Sequence, residues 1–64
     1  MLAVEALKLA LEKENGSIAL YKKLTNTHPE IADLLSDLLN EEYKHKKKIE
    51  EKIDLLIEQE KLVK

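Results

Sequence analysis

Residues 25–30, TNTHPE, divide the chain and decide its fold. The asparagine suits the C-terminal end of a helix, and Thr27 and Glu30 have the spacing of a capping box. Pro29 favours the first turn of a following helix. Because the residue before a proline resists the α region, His28 is an alternative cap. The stretch therefore predicts one turn between two helices.

The rest of the chain has the composition of long helices. Its 64 residues include one Gly, one Pro, 13 Leu and 21 Lys plus Glu, which predicts an all-α hairpin with one helix over about residues 2–25, a turn over about 26–29 and a second helix over about 30–63. No Cys is present, which rules out a disulfide framework or thiolate metal site. A net charge of -2 gives no electrostatic basis for nucleic-acid binding. No apolar run approaches a membrane span and the first residues lack signal-peptide features, so we expect a soluble, cytoplasmic protein with no membrane partner.

The first helix crosses a strong turn signal at Asn15-Gly16-Ser17. At about 100° per residue, its apolar residues nevertheless stay in one stripe on both sides of this signal. The stripe contains Val4, Leu7, Leu11, Ile18 and Tyr21. A turn at this point would break the helical periodicity of the apolar residues, so we predict a continuous helix. Gly16 lowers the stability of such a helix by about 1 kcal/mol relative to Ala. Glu14 interrupts the stripe between Leu11 and Ile18, whereas Glu12 lies on the polar side.

The second helix has a similar interruption. Its predicted apolar face contains Ile31, Leu34, Leu35, Leu38, Ile49, Ile53 and Leu56. Glu42 and His45 project from the centre of this face, one turn apart on the same side. Glu41 and Lys44 point away from it, and the lysines from Lys44 to 48 spread around the helix as a predicted solvated face. An antiparallel hairpin that turns near residue 27 brings Glu14 opposite Glu41 and Glu42, with His45 one turn along.

These polar residues predict a metal site. A carboxylate that is desolvated among Leu and Ile is costly unless it is paired, protonated or bound to a metal. The chain has no Arg, and its lysines are expected mostly on the outer faces. Two carboxylates and one imidazole suit divalent iron, manganese or zinc, so Glu14, Glu42 and His45 are the predicted ligands. A buried polar network without metal is the alternative.

One hairpin supplies only three ligands, which points to a homodimer. Two hairpins about a two-fold axis supply four Glu and two His, the ligand set of di-iron and di-manganese carboxylate bundles. Four carboxylates and two neutral imidazoles balance two divalent ions, so we expect two metal ions per dimer. A chain of 64 residues also buries too small a fraction of its surface to be more than marginally stable as a monomer. Further apolar residues off the main stripes indicate assembly beyond a dimer, namely Leu2, Leu9, Leu20, Leu24, Leu55 and Leu62.

The pattern resembles one half of the rubrerythrin and ferritin-like superfamily. The residues that carry the likeness are Glu14, Tyr21 seven residues later, and the run from Glu41 to His45, EEYKH, in a second helix that begins with Pro. The likeness extends from about Leu7 to Ile53 of this chain. It implies a dimeric, ferritin-like four-helix bundle with a non-haem di-iron site.

The resemblance also implies an activity, namely oxidation of Fe(II) with dioxygen or peroxide, by a ferroxidase or a rubrerythrin-like peroxide-reducing oxidoreductase. Glu14, Glu42 and His45 would be the iron ligands, and Tyr21 would lie near a ligand carboxylate. The chain departs from most of the superfamily because it carries one hairpin, as in single-hairpin encapsulated ferritins that build the site between chains. It also lacks a rubredoxin-like Cys module, so the electron donor is not identified.

A different class of function remains open. The same sequence is consistent with a non-catalytic helical hairpin that forms an oligomeric interaction or scaffold module. In that case the polar residues between the helices fix the register of packing, as buried polar groups do in coiled coils. A metal-binding assay distinguishes the two classes.

Overall fold

The chain folds into two antiparallel helices joined by a short turn. The structure, a computed structural model, describes residues 2–62, with side chains to residue 61. Helix α1 spans Ala3–Thr27, a 3-10 turn spans Pro29–Ile31, and helix α2 spans Ala32–Leu62. The predicted all-α hairpin is confirmed. The predicted end of the second helix at Val63 and the side chain of Leu62 lie outside the described residues.

The turn differs from the predicted capping box. Helix α1 continues through Thr27, whose Oγ1 donates back to the carbonyl oxygen of Lys23 at 3.1 Å. His28 alone separates α1 from the 3-10 turn, and its backbone N–H donates to the Leu24 carbonyl at 2.7 Å. The Glu30 carboxylate lies 3.2 Å from the His28 ring. The capping box at Thr27 and Glu30 is therefore wrong, because a threonine in helical backbone bonds to the turn before it.

Helix α1 passes through Asn15-Gly16-Ser17 without a break, as predicted. Gly16 does not adopt a positive φ. A Cβ atom at this position would meet nothing within 4 Å. Neither backbone conformation nor close packing within the hairpin therefore requires glycine at Gly16.

The helices meet along stripes in which three- and four-residue steps alternate, the spacing of paired helices. The buried and half-buried residues on α1 include Val4, Leu7, Leu11, Glu14, Ile18 and Tyr21, as predicted. Those on α2 include Ala32, Leu35, Leu39, Glu42, Lys46, Ile49, Ile53 and Leu56. Only three of the described residues are buried, namely Ile18, Leu35 and Ile53. The core is therefore a single row of contacts.

Three residues assigned to the α2 contact face are not on it. Ile31, Leu34 and Leu38 are 44%, 56% and 37% exposed. Helix α2 carries more apolar residues than one contact stripe holds, and the stripe through Leu35 and Leu39 is the one that packs on α1. The prediction of one face for all of them is therefore wrong, and a second apolar surface remains uncovered. The apolar residues predicted to lie off the α1 stripe are also mostly exposed, namely Leu2, Leu9 and Leu20.

The hairpin is a slab one helix thick. It measures 54 × 18 × 12 Å, and an α-helix with its side chains is about 10–12 Å across. Its accessible surface is 5129 Å², whereas a compact protein of its mass exposes about 4,200 Å². None of the described helices combines the length and apolar character that crossing a membrane requires.

Candidate metal centre

Glu14, Glu42 and His45 meet in the middle of the interface between α1 and α2. The Nδ1 atom of His45 lies 3.8 Å from Glu14 Oε2 and 3.5 Å from Glu42 Oε1. Potential ligand atoms of all three residues lie within 4.8 Å of one another. Antiparallel packing thus brings the three predicted ligands together, and we call this cluster the polar layer.

Glu14 is the member of the polar layer with the least compensation. Its side chain is 15% exposed. Its Oε2 atom is fully buried and accepts no hydrogen bond from any of the described residues. A buried carboxylate oxygen in this state is costly, which is the property expected of a side chain held ready for a ligand.

Glu42 shares the environment of Glu14. The adjacent Glu14 carboxyl is the main factor that raises the pKa of Glu42, because a protonated Glu42 can donate a hydrogen bond to it, and burial and the charge of Glu14 raise the pKa further. His45 opposes this shift. When both carboxyls are ionised they repel each other, so Glu42 takes up a proton more readily than an ordinary glutamate does.

His45 opens the polar layer to one side of the hairpin. Its side chain is 48% exposed, whereas that of Glu42 is 17% exposed. In α2, His45 precedes the contact residue Lys46, and Tyr43 follows the contact residue Glu42. These two side chains therefore flank the contact stripe on opposite sides. We name the two long sides of the hairpin after them, the His45 side and the Tyr43 side.

The two sides have different chemistry. The Lys22 Nζ atom lies 5.7 Å from the centre of the Tyr43 ring, which places Lys22 of α1 on the Tyr43 side. The same flank of each helix carries mostly polar residues, including Lys8, Asn15, Lys22, Glu50 and Asp54. The opposite flank, which forms the His45 side, carries small and apolar residues along its length, including Ala6, Ala10, Ser17, Leu24, Ile31, Leu34 and Leu38. The polar layer therefore opens toward the apolar side.

Lys46 occupies a position that sequence reasoning missed. It was predicted to lie on a solvated face, but it is half-buried in the contact stripe of α2, directly after His45. The signal was present in the three- and four-residue steps that lead from Leu39 through Glu42 and Lys46 to Ile49. Residue type alone places a lysine on the outer face, whereas its place in this series puts Lys46 in the contact stripe.

Tyr21 lies on the contact stripe of α1, two turns after Glu14, and is half-buried. Its backbone carbonyl accepts a hydrogen bond from Thr25 Oγ1 at 2.8 Å. Within the described part of the chain its phenol makes no hydrogen bond to Glu14 or Glu42. A role for Tyr21 beside a ligand carboxylate therefore stays a prediction.

Comparison with known proteins adds no relative. No protein-family model matches the sequence, and no curated protein or solved structure matches it. The likeness to rubrerythrins and ferritins therefore stays a prediction from the residues of this chain. The geometry of the polar layer is an independent observation on which a function can be argued.

Proposed function

We propose that the chain is one half of a di-metal carboxylate protein, and that a second copy completes its site within a four-helix bundle. In this proposal Glu14, Glu42 and His45 of both copies hold two ions, with iron as the favoured metal and manganese or zinc as alternatives. The observation that carries the proposal is the buried Glu14 Oε2 atom, which has no hydrogen-bond partner among the described residues and faces a second carboxylate and an imidazole.

The donor set fits a divalent transition metal. Leaving a buried polar atom without a partner costs about 1–3 kcal/mol, and more when the atom is charged. Among the described residues, no lysine Nζ atom lies within 4.0 Å of Glu14 or Glu42. Carboxylate and imidazole ligands suit iron, manganese and zinc, and a bound cation would remove the repulsion between Glu14 and Glu42.

The His45 side supports a second copy as the missing half. The hairpin exposes several hundred Å² more than a compact protein of its mass, and one partner in a standard interface buries roughly 800 Å². The exposed Ile31, Leu34 and Leu38 lie on this side, between the turn and His45. A two-fold axis through this side would bring two polar layers together and bury both apolar surfaces.

Two copies would also balance the charge of the site. Four carboxylates and two neutral imidazoles neutralise two divalent ions, which is the ligand set of di-iron bundles. When bound, the two ions supply electrons from Fe(II) for the reduction of dioxygen or peroxide. Glu14 and Glu42 would bind through carboxylate oxygens and His45 through the ring nitrogen that faces them. Ile18 on one side of the polar layer, and Ile49 and Ile53 beyond Lys46 on the other, would limit the access of water.

A second candidate function is a non-catalytic oligomeric hairpin. The observation that favours it is that His45 Nδ1 already lies within 3.8 Å of both carboxylates. A protonated His45 would offset part of their charge without metal. In this case the polar layer would fix the register of the helices and would bind no ion.

Metal titration of the purified protein, together with its mass by light scattering, tests the proposal. We expect a dimer that binds Fe(II) anaerobically at about one ion per chain and oxidises it when oxygen is added. Glu42→Ala should lose binding, whereas Glu41→Ala should keep it, because the Glu41 side chain is 58% exposed and pairs with Lys44 outside the polar layer. A monomer with intact helical circular dichroism, or a dimer that binds no metal, would contradict the proposal.

A mixed dimer tests whether the site is shared. One chain is wild type, and the other carries both Glu42→Ala and His45→Ala. If two chains build one site, this dimer should lose most of its paired-metal binding. If each chain holds its own ion, the dimer keeps one normal site and the shared-site model is wrong.

A further inference from the structure

Lys46 is the one lysine among the described residues that is half-buried, since all the others are exposed. It lies in the contact stripe of α2 between Glu42 and Ile49. Burial of a lysine stem beside apolar residues is common, but here the stem lies one turn from the polar layer. The ammonium of Lys46 can therefore act on the carboxylates of the polar layer.

The register of the two helices places Lys46 beside Glu14. Glu14 of α1 faces Glu42 and His45 of α2. Toward the open end, Leu11, which is one turn from Glu14, lines the same groove as Ile53, which is about two turns beyond Lys46. Along α2, Lys46 lies between His45, which faces Glu14, and Ile53. The base of the Lys46 side chain is therefore close to Glu14 across the interface.

The ammonium of Lys46 is also within reach of Glu42. Lys46 follows Glu42 by four residues, the order and spacing that favour an ion pair on a helix. In the described structure this pair is open, because no carboxylate lies within 4.0 Å of Lys46 Nζ. Glu42 turns instead toward His45 and Glu14, in the arrangement suited to holding a metal. A divalent ion held by Glu42 would repel the ammonium, so closure of the Lys46 pair and metal binding oppose each other.

We propose that Lys46 is an internal cation of the site that competes with metal. The pair that is open in the structure can close, because the ammonium of Lys46 can swing to Glu42, where it offsets the charge of the two carboxylates and a divalent ion has to displace it. Lys46 therefore weakens metal affinity. This inference rests on the proposed metal-binding function and names a residue that tunes it without binding the metal.

The expected size of the effect follows from electrostatics. A unit positive charge several Å from a divalent ion is repelled by an amount that falls steeply with the effective dielectric constant. For a partly solvated interface, removal of the charge should raise metal affinity on the order of tenfold. An exposed lysine at a similar sequence distance is screened and should have little effect.

The experiment compares Lys46→Met with Lys44→Met in the protein as purified. Methionine keeps the length and helix propensity of lysine but removes the charge. Lys44 is the matched control, because its side chain is 70% exposed and pairs with Glu41. Calorimetric titration with Co(II), which is stable in air, should show affinity raised on the order of tenfold for Lys46→Met and nearly unchanged for Lys44→Met. Lys46→Gln provides a second neutral variant if the methionine chain misfolds.

A second arm does not depend on metal. With chelator present, urea unfolding is measured for wild type, Lys46→Met, Glu42→Gln and the double variant. Pairing predicts that Lys46→Met lowers stability more when Glu42 is present than when it is Gln, so the two changes are not additive. This difference separates lost charge pairing from the general effect of placing Met in the interface.

The outcomes distinguish this inference from the proposed function. If wild type binds Co(II) but both neutral variants at Lys46 bind it with equal or lower affinity, the inference about Lys46 is wrong and the metal site stands. Additive effects of the Lys46 and Glu42 changes on metal-free stability would also overturn it. If wild type binds no Co(II), both the inference and the proposed function fail.

Discussion

The polar layer and the apolar layers beside it belong to the same helix interface, but they have opposite properties. Ile18, Leu35 and Ile53 are 7%, 3% and 8% exposed and are the only described residues that are buried. The polar layer between the two ends of this row contains a buried oxygen without a hydrogen-bond partner and a Glu42 with a raised pKa. The difference indicates that the ends of the interface hold the hairpin together, whereas its middle imposes a cost on the fold.

Substitutions in the apolar layers should cause the largest change in the free energy of unfolding. Leu35→Ala removes most of the most buried side chain, and a change of this kind lowers the free energy of unfolding by about 2–5 kcal/mol. Urea unfolding followed by circular dichroism measures the loss. Leu9→Ala is the control, because Leu9 is 54% exposed and far from the interface, and it should change stability by less than about 0.5 kcal/mol. Equal losses for the two variants would show that the buried row does not dominate stability.

Replacement of Glu14 should change the free energy of unfolding in the opposite direction. Glu14→Leu removes the desolvated carboxylate and its repulsion with Glu42, so the metal-free protein should become more stable by about 1–4 kcal/mol. The same change should abolish Fe(II) oxidation. Unfolding is measured with chelator present, beside an Fe(II) oxidation assay.

Glu12→Leu is the matched control for this substitution, because Glu12 is exposed two residues away on α1. It should leave iron oxidation intact and change stability little. A marked loss of metal-free stability in Glu14→Leu would favour a structural, register-fixing role for Glu14. Iron oxidation at the wild-type rate in Glu14→Leu would refute its assignment as a ligand.

The smallest change in the free energy of unfolding should come from Gly16, which lies outside both the polar layer and the apolar layers. Gly16 lies near Glu14 in sequence, but a Cβ there would meet nothing within 4 Å. Gly16→Ala should therefore stabilise the hairpin by about 0.5–1 kcal/mol through helix propensity alone, with unchanged metal affinity. The reverse change at an exposed position of the same helix, Ala19→Gly, should cost a similar amount. A loss of dimer or of metal binding in Gly16→Ala would instead assign Gly16 to a contact with another chain.

The periodic part of the fold was predictable from the sequence. The phase of the α1 stripe continued across Asn15-Gly16-Ser17, which identified a continuous helix despite a strong local turn signal. The same phase placed Glu14, Glu42 and His45 together, because an antiparallel hairpin leaves little freedom in its register once the turn is located. Local capping chemistry was less reliable, since Thr27 stayed within the helix and bonded to Lys23.

The choice among several apolar stripes was not predictable. Helix α2 offers Leu34 and Leu38 as well as Leu35 and Leu39, and helical periodicity alone allows either pair to face α1. Packing selects the pair that aligns with α1, and the other pair stays exposed. Lys46 was missed for a related reason, since residue type was given more weight than its place in the three- and four-residue series. In the proposed dimer, a second copy of the chain covers the exposed stripe.

The thickness of the slab makes enclosure of the site depend on protein concentration. At 12 Å, a single hairpin leaves the polar layer open on the His45 side. In the proposed dimer, closure of the site is a bimolecular event, so association and metal binding are linked by mass action. Apparent metal affinity should then rise with the amount of protein, and metal should in turn tighten the dimer. The abundance of the chain would thereby set a threshold below which iron is neither enclosed nor oxidised.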